Sequence, residues 1–319
     1  MKLSVILPCF NSAATIAIQL EALAAQQWSG TWEVIVSNNG STDDSMAIVE
    51  RYRDRLPNLR IVNAYEPPKP RQPVAHSYNV GMQVASGDAF AFCESDDEIA
   101  PGWVAAMGEA LSQFDFVAGR LEYRKLNPDW LTVAGGHQPQ QTGLIESCVD
   151  SPPYLSDASG CNLGMTRRLY EAVGPLDTSF PYCYDKDYCW RAQLTGFKLH
   201  FVPDALIHYR LRQTPGDLYK QGLKCGKDLP LLCKRYEMPL GKFVILNRLK
   251  GLSSNLIHGP RLFIMSVFNI RRGRGGFAWW SWGLGYCIGE IQGLSKYALQ
   301  GYPDQEPDPS LSRVKARVN

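Results

Sequence analysis

An α/β fold, a mainly parallel sheet covered by helices and followed by a helical C-terminal extension, is predicted by three features of the 319-residue sequence. Short apolar runs alternate with segments whose apolar residues recur at helical spacing. Polar clusters stand where three of those runs end. A hydrophobic content of 45% is ample for the buried core such a sheet needs.

Leu3 to Leu7 reads as a buried strand, and Ser12 to Gln26 as a helix with Ile16, Leu20 and Leu23 on one face. Glu33 to Val36 is a second strand. Asp43 to Leu56, with Met46, Val49, Tyr52 and Leu56 in line, is a second helix, and Leu59 to Val62 a third strand, giving the rhythm βαβαβ. Pro67, Pro68, Pro70 and Pro73 mark a loop before a helix from Val74 to Ala85 and a strand from Asp88 to Cys93. Pro101 opens a helix bearing Trp103, Val104, Met107 and Leu111. Between Arg124 and Gly160 the pattern fades into Pro, Gly and Gln, as in long loops that shape a binding site. It returns as helices at Arg167 to Val173 and Asp185 to Leu194 and a strand at Leu199 to Val202, and from Asp217 the chain reads as helical and more basic. The expected division is a sheet domain over 1–225, a helical region over 226–302 and a disordered tail over 303–319.

Composition narrows the partners. Lys+Arg 33 against Asp+Glu 31 leaves a formal charge of +2, so no global field argues for nucleic acid. Nine cysteines without a C-x-x-C pair fit reduced thiols of a cytosolic protein. The apolar start is broken by Pro8 and Asn11 and reads as strand and helix rather than a secretion signal, and no stretch reaches the length of a membrane-spanning helix.

The chemistry concentrates at the strand ends, where a parallel sheet places its ligands. One cluster is Pro8 to Asn11, including Phe10; the second is the turn Ser37 to Asp43, with Asn38 and Asn39; the third is Glu94-Ser95-Asp96-Asp97-Glu98. Carboxylates packed this closely repel one another unless a cation joins them, so a divalent ion, with a diphosphate behind it, is the expected partner. The plainer reading is an acidic patch before the helix that opens at Pro101. An Asn amide both donates and accepts and can meet a nucleobase, or simply build an Asn-Gly turn. Arg71, Arg210 and Arg212 are of the type that pairs bidentately with phosphate.

The block Ser4-Val5-Ile6-Leu7-Pro8-Cys9-Phe10-Asn11, the turn Asn39 to Asp43, and Asn79-Val80-Gly81 leading to Glu94-Ser95-Asp96-Asp97 together resemble family 2 glycosyltransferases of the GT-A fold, a Rossmann-like sheet. Gly174-Pro175-Leu176-Asp177, Tyr184-Asp185-Lys186-Asp187 with Trp190-Arg191, and Phe201-Val202-Pro203-Asp204 to His208-Tyr209-Arg210 continue the resemblance over about the first two thirds of the chain. It implies that Glu94-Ser95-Asp96 stands for the D-x-D motif, with Asp96 and Glu94 at the metal and His208 as a further ligand. It implies donor contacts from Pro8, Phe10, Asn11, Asn38, Asn39, Arg71, Asn79 and Ser95. Asp185, or else Asp187, would be the general base, with N-terminal capping of a helix as the alternative use of both.

The expected activity is single-sugar, inverting transfer from a UDP-, dTDP- or GDP-sugar, with Mn²⁺ or Mg²⁺, to a glycan or lipid-linked acceptor. A processive Q-x-x-R-W motif is missing. Glu94, Asn38, Asn39 and Tyr184 depart from the usual pattern, which keeps a catalytically silent nucleotide- or glycan-binding relative as the second reading. Trp279, Trp280 and Trp282 near Arg271, Arg272 and Arg274, with Gly285, Gly289 and Gly293 at every fourth position, suit either a peripheral contact with the inner face of a membrane or a helical subdomain packed on its neighbours. The expected location is cytoplasmic, with the first alternative adding peripheral contact on the inner face of the membrane, and a homo-oligomer stays open.

Overall fold

The computed structural model describes residues 1–65, 67–68, 71–133, 138–146, 155–238, 259–268 and 271–300. The tail expected over 303–319 lies outside the described residues. The chain divides into two units, the first comprising Met1–Glu122, Pro139–Ser147 and Leu155–Arg210, the second Tyr123–Gln138, Cys148–Tyr154 and Leu211–Asn319.

The first unit carries an eight-stranded sheet in the order β3-β2-β1-β4-β7-β6-β8-β5. Its strands are β1 (Lys2–Cys9), β2 (Thr31–Asn38), β3 (Arg60–Asn63), β4 (Ala89–Phe92), β5 (Glu98–Ile99), β6 (Phe116–Glu122), β7 (Leu163–Thr166) and β8 (Leu199–His208). The expected parallel run is the half β3-β2-β1-β4. Beyond it the sheet is mixed: β7 runs antiparallel to both β4 and β6, β8 is parallel to β6, and β5 antiparallel to β8. β1 is buried along nearly its whole length, as a strand covered on both faces should be. It runs through Pro8 to Cys9 because β4 pairs only as far as Ile6, so the missing N–H at Pro8 interrupts no ladder.

The helices of this unit are α1 (Ile16–Ala24), α2 (Ser45–Glu50), α3 (Val74–Val84), α4 (Trp103–Leu111), α6 (Arg167–Val173) and α7 (Tyr184–Leu194), with α5 (Asp129–Thr132) in the second unit. Two are shorter than their periodicity predicts. α1 begins late because the chain enters it through a tighter turn, the Thr15 amide donating to Ser12 O, with the Ser12 and Ala13 amides tied to Ser45 and Asp43. α2 ends early because Arg51, Tyr52 and Arg53 donate to the third residue back, which winds the chain into tighter turns. β8 outruns its expected end: Gly119 faces Val202 and Arg120 faces Leu206, so Pro203 to Ala205 bulge out and pairing resumes. Asn162, fully buried, ties this region together by accepting from Trp103 Nε1 and donating to the carbonyls of Arg120 and Ala205 at 2.9 Å.

In the second unit α8 (Pro215–Arg235) carries the chain unbroken across residues 225 and 226, where a domain boundary was expected. It packs on the helix Arg271–Gln300 with backbones nearly touching: a Cβ on Gly226 would stand 2.1 Å from Tyr286 O, and one on Gly289 2.2 Å from Leu223 O. The fourfold-spaced glycines therefore serve close helix contact. Trp279 Nε1 donates to Leu131 O, and Arg274 lies over the Trp130 ring. Among the described residues no helix is long and apolar enough to cross a membrane.

Candidate active site

Strand order reverses at β1, with β2 and β3 on one side and β4 on the other, and the crevice beyond the carboxyl ends of such strands is where an α/β sheet takes its ligand. The three polar clusters meet there. Asn11, at φ +47°, accepts from the Thr42 amide at 2.8 Å through Oδ1, and its own N–H donates to Ser41 Oγ. The Ser12 amide donates to Ser45 Oγ and the Ala13 amide to Asp43, so the loops after β1 and β2 are sewn into one wall. Ser12 Oγ and Ser95 Oγ, 2.7 Å apart, bind that wall to the acidic loop after β4.

Both asparagines of the second loop brace it. Asn38 Oδ1 accepts from the Ser41 amide at 2.9 Å, while Asn39, buried, donates through Nδ2 to Gln72 O at 3.0 Å with its Oδ1 turned inward. The flat surface at this end comes instead from Phe10, 39% exposed, with the Arg71 guanidinium stacked 3.4 Å from its ring centre.

Glu94, Asp96 and Asp97 bring carboxylate oxygens within 4.8 Å of one another, Glu94 and Asp96 half-buried and Asp97 buried. Two bonds from Arg210 set this loop: its amide donates to Asp97 Oδ1 and its Nε to Asp96 O, both at 2.7 Å. The set is all oxygen and carries net negative charge, which suits a hard divalent cation such as Mg²⁺ or Mn²⁺. Asp97 was not among the expected ligands because a D-x-D reading takes alternate residues, although it lies in the same acidic run.

Asp185 stands in the first turn of α7. Gly160 N–H donates to its Oδ2 at 2.9 Å and the Lys186 amide to its Oδ1 at 2.8 Å. Burial pushes its carboxyl up to about 6, against the pull of the Gly160 amide; the Asp157 carboxylate adds to the rise and Lys186 opposes it. Gly160 has no room for a side chain, since a Cβ there would stand 2.3 Å from Tyr184 Oη. The buried Cys161 thiol links both halves of the crevice: burial raises it most, followed by the charges of Asp97, Glu94, Asp185 and Asp96 together.

Two expected site residues are engaged elsewhere, and a third stands apart from the acidic set. Asp187 is fully buried and paired with Arg191 Nε at 2.8 Å, a guanidinium that also holds the carbonyls of Val173 and Pro175. Both ends of the Asn79 amide are taken by the Leu176 backbone, at 2.8 and 2.9 Å. His208 places Nδ1 2.8 Å from Glu122 Oε2, its neighbour across the sheet, and does not join the acidic set. Nothing in the local sequence distinguishes these structural uses from site roles, because each partner comes from a different part of the chain or a helix turn away.

Comparison with known proteins bears on the family and the fold. The sequence model described as Glycosyl transferase family 2 matches residues 4–174. An uncharacterized glycosyltransferase of Escherichia coli K12, YibD, is 30% identical over 172 residues, 54% of this chain and 46% of that protein, so the chain spans about half the length of that relative. The poly(ribitol-phosphate) β-N-acetylglucosaminyltransferase TarS of Staphylococcus aureus is 40% identical over 104 residues, 31% of this chain and 17% of TarS. The structure of TarS 1–349 with UDP-GlcNAc superposes with a TM-score of 0.55 at 19% identity, covering 96% of this chain and 93% of that one. A mannosyltransferase of Pyrobaculum calidifontis with GDP-Man and Mn²⁺ gives 0.54 at 16% identity, covering 99% and 79%. These likenesses establish a shared fold.

Proposed function

The chain belongs to glycosyltransferase family 2, and from that membership we propose that it transfers one sugar, with inversion, from a nucleoside-diphosphate donor to a hydroxyl of a glycan or lipid-linked acceptor. The observation that carries the reading is the convergence of Glu94, Asp96 and Asp97 within 4.8 Å in the crevice that Asp185 borders. Neighbours of the same fold hold UDP-GlcNAc, and GDP-Man with Mn²⁺, which supports a nucleotide-sugar donor and a divalent cation here without choosing the base.

Glu94, Asp96 and Asp97 would hold the cation, with Arg210 fixing their loop. Bound there, a divalent ion supplies Lewis-acid stabilisation of the charge that grows on the departing diphosphate. Phe10 and Arg71 offer the nucleobase a flat, cationic face, and the stitched loops after β1 and β2 hold that face in place. Asp185 takes the proton from the acceptor hydroxyl as its oxygen attacks the anomeric carbon, and no covalent glycosyl-enzyme is needed. A carboxyl whose affinity for a proton is raised toward neutrality by burial is a better base than a solvated one.

Asp96→Ala tests the assignment. Donor hydrolysis and transfer should be lost, and Mn²⁺ binding followed by electron paramagnetic resonance should weaken at least about tenfold, the loss of one charged ligand being worth 1.4 kcal/mol or more. Undiminished Mn²⁺ affinity and turnover would remove the metal site. For a lipid-linked acceptor, the second unit offers exposed Phe263, Ile264, Val267 and Phe268 beside Arg261, a basic and apolar face suited to an anionic bilayer. Sedimentation with phosphatidylglycerol vesicles should fall in the Phe263→Ser, Phe268→Ser variant, and unchanged sedimentation would exclude this face.

A further inference from the structure

We infer that residues 155–160, docked on α7 and clasped by the Asp157–Lys186 ion pair, form the device that positions Asp185 for catalysis; this rests on the reading of Asp185 as the base. The contacts run in step along both partners. Trp190 Nε1 donates to Leu155 O at 3.0 Å and Gln193 Nε2 to Ser156 O at 2.8 Å. Lys186 Nζ reaches Asp157 Oδ2 at 2.5 Å, and the Cys189 thiol lies 3.9 Å from Ala158 O. The run ends where the Gly160 amide meets Asp185 Oδ2. On its other side the segment is pinned to the sheet, because the Ser159 amide donates to Gln140 Oε1 and Gln140 Nε2 to Gly119 O. Asp157 also exchanges both backbone hydrogen bonds with Ile145.

The consequence is geometric. Among the described residues Asp185 has two N–H donors; the Lys186 amide travels with the helix, so of these the Gly160 amide orients the carboxylate relative to the rest of the site. Gly160 keeps its place as long as the segment before it stays docked. Asp157 and Lys186 form the charged link, with side chains 5% and 20% exposed and Lys186 lying over the Trp190 ring. A pair this buried holds position strongly, because removing either partner leaves a buried charge without its counter-ion. Asp157 and Lys186 are therefore positioning residues. Among the described residues, Tyr184, Cys161 and Cys189 also feel the Asp185 charge, and burial raises each of them so that they stay neutral.

The test uses the full chain with Mn²⁺, the donors UDP-glucose, UDP-N-acetylglucosamine and GDP-mannose, and water as acceptor. Asp157→Asn should lower kcat about tenfold or more, the usual consequence of a displaced catalytic group, with donor KM held within about twofold. Its acid limb should move to lower pH, since the anion that raises Asp185 is gone and the Lys186 ammonium remains. Lys186→Arg should keep most of the rate. Asp157→Glu, which keeps the charge but lengthens the reach, should lower kcat alone and serves if the Asn variant does not fold.

A second readout needs no turnover. In protein labelled with carboxyl-¹³C aspartate, the Asp185 resonance, assigned by its loss in Asp185→Asn, should titrate at lower pH in Asp157→Asn. In Lys186→Met the Asp157 and Asp185 carboxyls together should bind protons at higher pH than in the wild type. Folded variants with unchanged kcat and unchanged Asp185 titration would overturn the proposal. Wild-type turnover by Asp185→Asn, alongside a shifted Asp185 titration in Asp157→Asn, would instead overturn the base assignment and leave the positioning intact.

Discussion

Asp185, in α7, and Glu33, in β2, are carboxylates whose environments push them in opposite directions. Burial dominates at Asp185 and raises it to about 6, so the rate should climb as pH passes about 6 and fall below it, measured as kcat against pH. Asp185→Asn should cost about 10²- to 10⁴-fold in kcat, the range of a general base. Because the folded state binds that proton more tightly than the unfolded chain, ionising Asp185 costs stability as pH rises from the ordinary carboxylate range through 6. At Glu33 burial is outweighed by the hydroxyls of Ser4 and Ser86, the Ser86 amide and Lys2, and the group is lowered. Its contribution is present above the usual Glu range and lost as pH falls through the lowered value. Thermal melts should show Glu33→Gln losing more stability at about pH 7 than at about pH 3. The residue types at the site were legible in sequence, whereas their commitments were not. Asp185 and Asp187 are two positions apart on one helix, yet one accepts from the Gly160 amide and the other is sealed against Arg191.

Elements with a full period and a polar end were readable. β1, β2, β3, β4, α3, α6 and α7 fall within a residue or two of their expected bounds, and β1, β2, β4 and α3 do so because each buries most of a run or a face. β6 and β7 were not anticipated. Each is interrupted by a glycine, Gly119 or Gly164, and is held as strand by neighbours far along the chain. In the second unit the glycine spacing was readable as close packing, and the helix pair makes it testable. Gly226→Ala sets a methyl 2.1 Å from a backbone carbonyl, so the helices must part, at a cost of about 1–3 kcal/mol seen as a lowered midpoint in urea.

At the scale of the molecule, a ligand that binds only the folded form raises its stability by mass action. UDP with Mn²⁺ at a hundred times the dissociation constant should add about 2.7 kcal/mol, visible as an upward shift in Tm that Asp96→Ala abolishes. By itself, the sequence determined the α/β class, the family, the three strand-end clusters and the acidic run, because hydrophobic period and turn chemistry are local properties. Only the tertiary structure decided that β7 reverses direction, that Asp97 joins Glu94 and Asp96, that Asn79 and Asp187 are occupied by other partners, and that Glu122 pairs with His208. The same holds for the distant segment that hands Asp185 the Gly160 amide. Each of those outcomes depends on which remote backbone atom or charge arrives within hydrogen-bonding distance, and that is settled by packing.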